Sequence, residues 1–588
     1  MKSIFRILRM IYVLDKRLLP ATVVNEICLT LPTYIDTLLG AYVLDGLIAG
    51  LGLRAMMPVI FAMLGLRVLI RSIGEISQQI VWSREGLMHG LFMAKKSDKT
   101  LGMDYEELCS PAVNKLRDRM NQDDMHGWGI TDVYYYFSEG LGGVISMITA
   151  LIIVVPMIRW SLGSLIYLAA TAAVLAVVAA LRGKFLKRSQ ELADSYENAR
   201  SYAAFYLWGG GVDYKMGKDI RVFGAAPMIE KAVSEDEEEH EGRRRYVSYV
   251  RRTSAFNGAF GGLLQASSYV YVVLSALHGA LSAGEVVKFA SSLYSFWGSL
   301  SNMMTMSAEM TQASKRMEDT LEFLALPEKP GGTRSPEAAE KYSFEFRNVS
   351  FTYPGSGRDA LKNVSCQLTQ GERVAIVGLN GSGKTTFIKL LCRLYHPTEG
   401  EILLNGVNIE EYDFDEYIRL LSVVFQDFSL FSFRLGENVA SAESWDEDKL
   451  RSVLKTSGFG ERFDALEKGG ETVLYKNFEE DGVDISGGEA QKIALARALY
   501  KDAPFMILDE PTAALDPVAE YEIYSRFNGF TGGKGAIYIS HRLSSCVFCD
   551  RIMVFDSGHI VQRGTHAELL AESGLYAELW EAQAQYYK

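Results

Sequence analysis

Residues 161–181 (SLGSLIYLAATAAVLAVVAAL) contain no charged side chain. That length matches the ~20 apolar residues a helix needs to cross the hydrocarbon core of a bilayer. A segment placed there must satisfy its own backbone polar groups, which restricts this half of the chain to spanning helices. Further apolar runs occupy residues 29–43, 55–70, 144–158 and 263–281, and a weaker run rich in Ser and Met covers 286–308. The pattern predicts six spans, at about 21–49, 55–80, 131–157, 161–181, 256–281 and 286–309.

The flanking charges set the orientation. Lys2, Arg6, Arg9, Lys16 and Arg17 precede the first span. Lys95, Lys96, Lys99, Lys115, Arg117 and Arg119 fall between the second and third. Arg182, Lys184, Lys187, Arg188, Arg243, Arg244 and Arg245 fall between the fourth and fifth. The opposite loops are short and carry little beyond Arg54 and Arg159. The positive-inside rule therefore places the N-terminus and both long loops in the cytoplasm, and an even number of spans returns the C-terminal half there. Residues 1–20 read as an amphipathic helix on the membrane surface, with Ile4, Phe5, Ile7, Leu8 and Ile11 opposed to Arg6 and Arg9. They lack the small-residue cleavage site of a secretory signal peptide. The two long loops read as helical extensions of the spans. The acidic run 235–239, followed by three arginines, is a solvated stalk face, or else a regulatory ion or partner site.

Charges inside spans are costly, so they face protein or a water cavity. Glu26, Asp36, Arg67, Arg71 and Glu75 lie in or near the first two spans, and Asp132 and Glu139 near the third. A hairpin turning near residue 51 puts Asp36 and Arg67 at similar depth and predicts that they pair. The pair either fixes helix register or lines a polar cavity that meets substrate.

After residue 325 the texture changes. Residues 327–336 (PEKPGGTRSP) are a linker by composition, and short apolar strands then alternate with helices, the pattern of an α/β domain with a largely parallel sheet. The segment Gly378-Leu-Asn380-Gly381-Ser382-Gly383-Lys384-Thr385 fits GxxxxGK[ST], between a predicted strand (373–377) and a helix that begins at Thr386. Its glycines let backbone N–H groups curl around phosphate oxygens, with the helix N-terminus adding a positive dipole end. Lys384 reaches the terminal phosphates and the Thr385 hydroxyl is a Mg²⁺ ligand. Residues 505–508 form a buried strand ending in Asp509 and Glu510. Asp509 suits Mg²⁺, and Glu510 is placed to polarise an attacking water. The long interval between these motifs implies an inserted subdomain. Near its end Ile485-Ser486-Gly487-Gly488-Glu489 precedes a helical run, a second anion-binding geometry.

Composition excludes several alternatives. With 48% apolar residues the chain is not disordered. Sixty basic against 72 acidic residues, a net charge of −12, argue against a general nucleic-acid binder. The six cysteines, Cys546 and Cys549 among them, suggest neither a disulfide scaffold nor a zinc site.

On these motifs, in this order, the chain resembles an ATP-binding cassette (ABC) half-transporter of the exporter type across essentially its whole length. The resemblance implies a multi-domain fold: an elbow helix (1–20), an all-α six-span transmembrane domain (21–322), a linker (323–340) and an α/β P-loop NTPase domain with an inserted helical subdomain (341–588). It implies that Tyr353 stacks on adenine and that Gln426 is the Q-loop residue sensing Mg²⁺ and water. Gly378, Asn380, Gly381, Ser382, Gly383, Lys384, Thr385 and Thr386 would hold ATP. Ser486, Gly487, Gly488 and Glu489 would be the signature, Asp516 the D-loop residue, and His541 the switch histidine near the γ-phosphate. Thr385, Gln426 and Asp509 would serve Mg²⁺, and Glu510, His541 and Lys384 catalysis. Tyr105-Glu-Glu-Leu resembles the first cytoplasmic loop of the family, and residues 214–223 the second, whose short helix contacts the partner's nucleotide domain.

In the family two such domains sandwich two ATP molecules, each site combining one P-loop with the other domain's signature. A second half-transporter is therefore implied, and the intact motifs favour an identical partner over a different one. Ile485 and Glu489 depart from the commoner Leu and Gln of the signature. No cysteine-peptidase domain precedes the spans, so cleavage of a leader peptide is not expected. The implied function is ATP-driven export by alternating access of a peptide, lipid or amphiphile. The alternatives are an importer of the same fold and an ATP-gated regulatory membrane protein. The expected setting is the cell membrane, with membrane lipid and an unidentified substrate as partners and no nucleic acid.

Overall fold

The computed structural model describes residues 2–125, 129–158, 162–198, 214–234, 237–277, 281–328, 331–511, 532–540 and 543–584. The chain divides into two compact units, one of residues 1–99 and 116–325, the other of residues 100–115 and 326–588.

The first unit is helical. Its elements are α1 (Lys2–Leu14), α2 (Leu18–Ile48), α3 (Leu53–Gly102), then, beyond α4 (Tyr105–Leu108), α5 (Pro111–Met125), α6 (Ile130–Ile158), α7 (Leu162–Asn198), α8 (Tyr214–Val222), α9 (Ala226–Ser234), α10 (Glu237–Leu277) and α11 (Ala283–Ala325). Five of them, α2, α3, α6, α7 and α10, are long and apolar enough to cross a membrane. On α3, Phe61, Leu69 and Ile76 all point outward, as befits a helix whose surroundings are hydrocarbon rather than water.

The sixth expected span, α11, is not in that set. Its apolar residues are instead spent inward: Phe289, Leu293 and Trp297 are buried with Val154 of α6, Leu175 of α7 and Val272 of α10. Gly284 allows a close approach to α2, since a Cβ there would stand 2.2 Å from the Ala41 carbonyl oxygen. The Gly284 N–H donates to Asp45 Oδ1 at 2.7 Å. Polar contacts fix the helices elsewhere. The Tyr34 hydroxyl donates to the Ser146 carbonyl at 2.8 Å, and the Thr22 and Tyr134 hydroxyls pair at 2.8 Å. The elbow helix α1 buries Ile7 and Ile11 against Met88, Phe92 and Ile130, so its inner face is packed on protein while Phe5 stays exposed. Arg67 Nε lies 3.0 Å from Asp36 Oδ1, the ion pair expected from their depth.

The second unit holds two sheets. Strands β1 (Ser343–Thr352), β2 (Asp359–Thr369), β4 (Glu399–Leu404) and β5 (Val407–Asn408) make an antiparallel sheet in the order β2-β1-β4-β5. Strands β3 (Arg373–Gly378), β6 (Leu421–Val424), β7 (Phe505–Asp509), β8 (Gly535–Ile539), β9 (Arg551–Asp556) and β10 (His559–Gly564) follow the order β10-β9-β3-β8-β7-β6. All pairs in the second sheet are parallel except β10 with β9. Its central strands β7 and β8 are buried along their whole length, as their continuous apolar sequences require. Helix α12 (Lys384–Leu391) fills the space between the sheets with Phe387, Ile388, Leu390 and Leu391.

A helical insertion comprises α13 (Phe414–Ile418), α14 (Leu435–Ala440), α15 (Glu447–Thr456), α16 (Gly460–Asp464) and α17 (Gly487–Lys501). Most of it gathers around its own core, Leu435, Leu450, Leu454, Phe459, Phe463 and Ile493. Cys546 is buried among Ala375, Val377 and Tyr576, a packing role; the six cysteines are free thiols.

Candidate nucleotide site

The site begins where β3 ends. Gly378 has φ +150°, and a Cβ there would stand 2.1 Å from the Phe555 carbonyl oxygen of β9. Gly383 has φ +106°, with Ala360 and Leu361 2.7 Å from the position of a Cβ. At both points the chain turns through left-handed conformations against neighbouring backbone, so only glycine fits. Gly381, at φ +75°, has open space around it and faces the cavity.

Lys384, the first residue of α12, is buried. Its Nζ donates to the carbonyls of Gly378 and Leu379, both at 2.9 Å. Burial lowers its pKa, and the negative charges of Glu510 and Asp509 oppose that shift. The ammonium is thus held at the mouth of the loop by two neutral acceptors, an arrangement that an anionic phosphate oxygen can outcompete.

Asp509 ends β7 and is 1% exposed. Burial pushes its carboxyl up to about 6; the Thr385 hydroxyl and Lys384 pull it down and Glu510 raises it further. Among the described residues neither of its carboxylate oxygens has a hydrogen-bond partner of good geometry. A buried carboxylate beside the Thr385 hydroxyl and next in sequence to a second acid fits a hard cation with oxygen ligands. Asp509, Thr385 and Gln426 are the residues that would hold Mg²⁺.

Glu510 follows in a left-handed conformation, φ +48°, which is strained for a residue with a Cβ. Three contacts hold it. Its N–H donates to the Ile539 carbonyl at 3.1 Å, its carbonyl accepts from Gln491 Nε2 at 3.2 Å, and its Oε2 accepts from Gln426 Nε2 at 3.0 Å. Gln491 is a contributor that sequence reasoning missed. Its signal was a buried polar side chain among the Ala, Ile and Leu of α17.

A cavity of about 590 Å³ is lined by Tyr353, Ala360, Asn380, Gly381, Gly383, Lys384, Thr385, Thr386, Gln426 and Glu510. The structure therefore brings together most of the residues expected at the P-loop, the aromatic residue and the Q-loop. Ser382 is buried under the same loop. The Tyr353 hydroxyl pairs with that of Thr386 at 3.0 Å, which fixes the ring at the cavity wall.

The residues Ser486 to Glu489 do not line this cavity. Ser486 caps α17, and Gly487 and Gly488 form its first turn. The Ser486 hydroxyl and N–H both donate to Glu489 Oε2, at 2.8 and 2.9 Å, and Arg462 Nε lies 3.2 Å from Glu489 Oε1. Burial raises the Glu489 pKa, but the Ser486 donors, Arg462 and Lys492 outweigh it and hold the carboxylate below its usual range. Asp516 and His541 lie outside the described residues.

Comparison with known proteins agrees with this geometry. Residues 361–513 match the family described as ABC transporter. The C-terminal domain is an ABC transporter domain. Over 318 residues the chain is 41% identical to the subtilin transport ATP-binding protein SpaT of Bacillus subtilis, a match covering 53% of this chain and 51% of that protein. Over 307 residues it is 36% identical to the ATP-dependent lipid A-core flippase of Paraburkholderia xenovorans (strain LB400), covering 52% and 51%. The chain thus spans about half the length of the curated relatives it matches. A solved bacterial Atm1-family ABC exporter with ATP bound superposes with a TM-score of 0.71 at 22% identity, over 97% of this chain and 100% of that one. Helical unit and ABC domain together have the fold of an ABC exporter. Among the described residues, five helices of this chain are long and apolar enough to cross a membrane, in keeping with that fold.

Proposed function

We propose that this chain is an ATP-driven exporter that works as a dimer of half-transporters. The observation that carries the reading is the convergence of Lys384, Thr385, Gln426 and Glu510 on one cavity, in a chain that also holds the membrane helices. The importer alternative has less support, because the relatives include an ATP-dependent lipid A-core flippase and the fold match is to an exporter.

In this mechanism the loop amides and Lys384 bind the β- and γ-phosphates, Lys384 exchanging its two carbonyl acceptors for phosphate oxygens. Tyr353 supplies an aromatic face for adenine. Asp509, Thr385 and Gln426 would hold Mg²⁺, which would supply positive charge against the phosphates. Glu510 orients water in line with the γ-phosphorus. The water oxygen forms a P–O bond as the bond to the ADP oxygen breaks, and its proton passes toward the Glu510 carboxylate. Gln426 holds that carboxylate in place beforehand. His541 is proposed to approach the γ-phosphate and Asp516 the dimer interface.

The signature supports the dimer. Ser486 to Glu489 do not line the cavity of their own chain, so the first turn of α17, with Gly487 and Gly488, is proposed to meet a nucleotide held by a second copy. The intact motifs favour an identical partner. The relatives are named for transport of subtilin and of lipid A-core, so the proposed substrate remains a peptide, a lipid or an amphiphilic small molecule. The test is accumulation of labelled peptide and lipid amphiphiles in inside-out and right-side-out vesicles. Uptake with ATP only into inside-out vesicles supports export, and uptake only into right-side-out vesicles refutes it.

A further inference from the structure

Residues 100–115 leave the loop between the second and third spans and form one compact unit with residues 326–588. One residue holds the turn at its centre. Asp104 caps α4, its Oδ1 accepting the Glu106 N–H at 2.9 Å, while its Oδ2 lies 2.8 Å from His396 Nε2. Glu106 Oε2 in turn accepts the His396 backbone N–H at 2.9 Å. The other ring nitrogen of His396 lies 2.9 Å from Glu410 Oε1, and Arg393 Nε is 3.3 Å from Glu410 Oε2. A ring with a carboxylate on each nitrogen donates from both, which only the imidazolium can do. Hydrogen bonds donated to Asp104 and then to Glu410 push its pKa up to about 10, against the effect of burial. His396 is therefore cationic at neutral pH.

The next residue leads to the nucleotide. The Tyr105 ring meets Tyr395 edge-on, centroids 5.7 Å apart, and Tyr395 meets Tyr353 edge-on at 5.1 Å. Tyr353 lines the nucleotide cavity.

We propose that His396 is a positioning residue, an ionic lock that clamps the 104–109 turn to the ABC domain, and that Tyr395 carries nucleotide occupancy from Tyr353 to that clamped turn. Charge-assisted bonds suit a joint that must transmit force without slipping. The two adjacent residues divide the work, since His396 holds the turn and Tyr395 reports to it. Because the turn is continuous in sequence with the second and third spans, what it feels is passed to the membrane helices. The proposal rests on reading the cavity as an ATP site.

The test uses the full chain in lipid nanodiscs. Backbone hydrogen exchange of residues 104–109 is followed with and without Mg-ATP, beside binding of a fluorescent ATP analogue. H396Q removes the charge and should speed exchange roughly tenfold or more. H396R, which restores a cation with donors for both carboxylates, should stay close to wild type. Both should bind the analogue normally, because His396 does not line the cavity. Y395L should keep the slow exchange but lose the change that ATP causes. D104N keeps the N-cap while discharging the lock, and gives the H396Q readout should that variant not assemble. Exchange in H396Q and D104N equal to wild type, or H396R as fast as H396Q, would overturn the lock. An ATP response that survives Y395L would overturn the relay. A wild type that fails to bind the analogue would overturn the ATP-site reading itself.

Discussion

Gln426 donates its side-chain amide to Glu510 across 3.0 Å, and so ties the loop after β6 to the acid that follows β7. Glu510 already sits at φ +48°, so this bond helps hold a strained residue in the one orientation useful to an attacking water. Replacing Gln426 with Ala should lower the kcat of ATP hydrolysis about 10-fold or more while changing the KM for ATP far less. Steady-state kinetics in nanodiscs measure both. A rise in KM at unchanged kcat would assign Gln426 to binding instead.

Asp509 carries a stability cost with a definite pH dependence. Its folded pKa, about 6, lies above the ordinary carboxylate value. The folded state therefore binds the proton more tightly, and the penalty is full above pH 6 and disappears as pH falls toward 4. Asp509→Asn should stabilise the nucleotide-free protein by about 1–3 kcal/mol at pH 7.5, and by much less near pH 4.5. Thermal unfolding at the two pH values checks this. The same variant should lose the additional stabilisation that Mg-ATP gives the wild type.

The two loop glycines should respond differently. A methyl group at Gly378 meets the Phe555 carbonyl, whereas one at Gly381 meets open space and carries only the cost of a positive φ. Gly378→Ala should cost more than about 2 kcal/mol and abolish nucleotide binding. Gly381→Ala should cost about 1 kcal/mol. Denaturation and analogue binding distinguish them.

In the membrane, Asp36 and Arg67 should behave as one unit. Removing either charge leaves its partner unpaired at spanning depth, so D36N or R67M should lower the yield of folded protein several-fold. The swap D36R with R67D should restore it, as monitored by size-exclusion chromatography. Folding restored with transport still lost would show that the pair also lines the substrate path.

What the sequence revealed follows the range of each interaction. The P-loop is contiguous, with glycine, lysine and threonine at fixed spacing, so residues 378–386 were legible as a unit. Asp509 and Glu510 were legible from the apolar strand that ends in two acids, whereas Tyr353 and Gln426 became legible only through the order of motifs that the resemblance supplied. The hydrophobic spans were readable because bilayer thickness fixes their length. The sixth, α11, was weak because its Phe289, Leu293 and Trp297 face other helices rather than lipid. The His396 contacts were invisible, since Asp104 stands 292 positions away and no local pattern marks the pairing. Arg462 beside Glu489 was hidden for the same reason, and Ala360 gave no chemical signal at the cavity wall.

The central claim is a Glu510-dependent ATPase formed by this chain with itself. The most direct measurement is ATP hydrolysis by the purified chain in lipid nanodiscs, beside Glu510→Gln. The account predicts Mg²⁺-dependent hydrolysis by the wild type and a variant that still binds ATP but turns over at least about 100-fold more slowly. Equal turnover in the variant would contradict the role of Glu510, and a wild type that binds ATP without hydrolysing it would contradict the self-sufficient dimer.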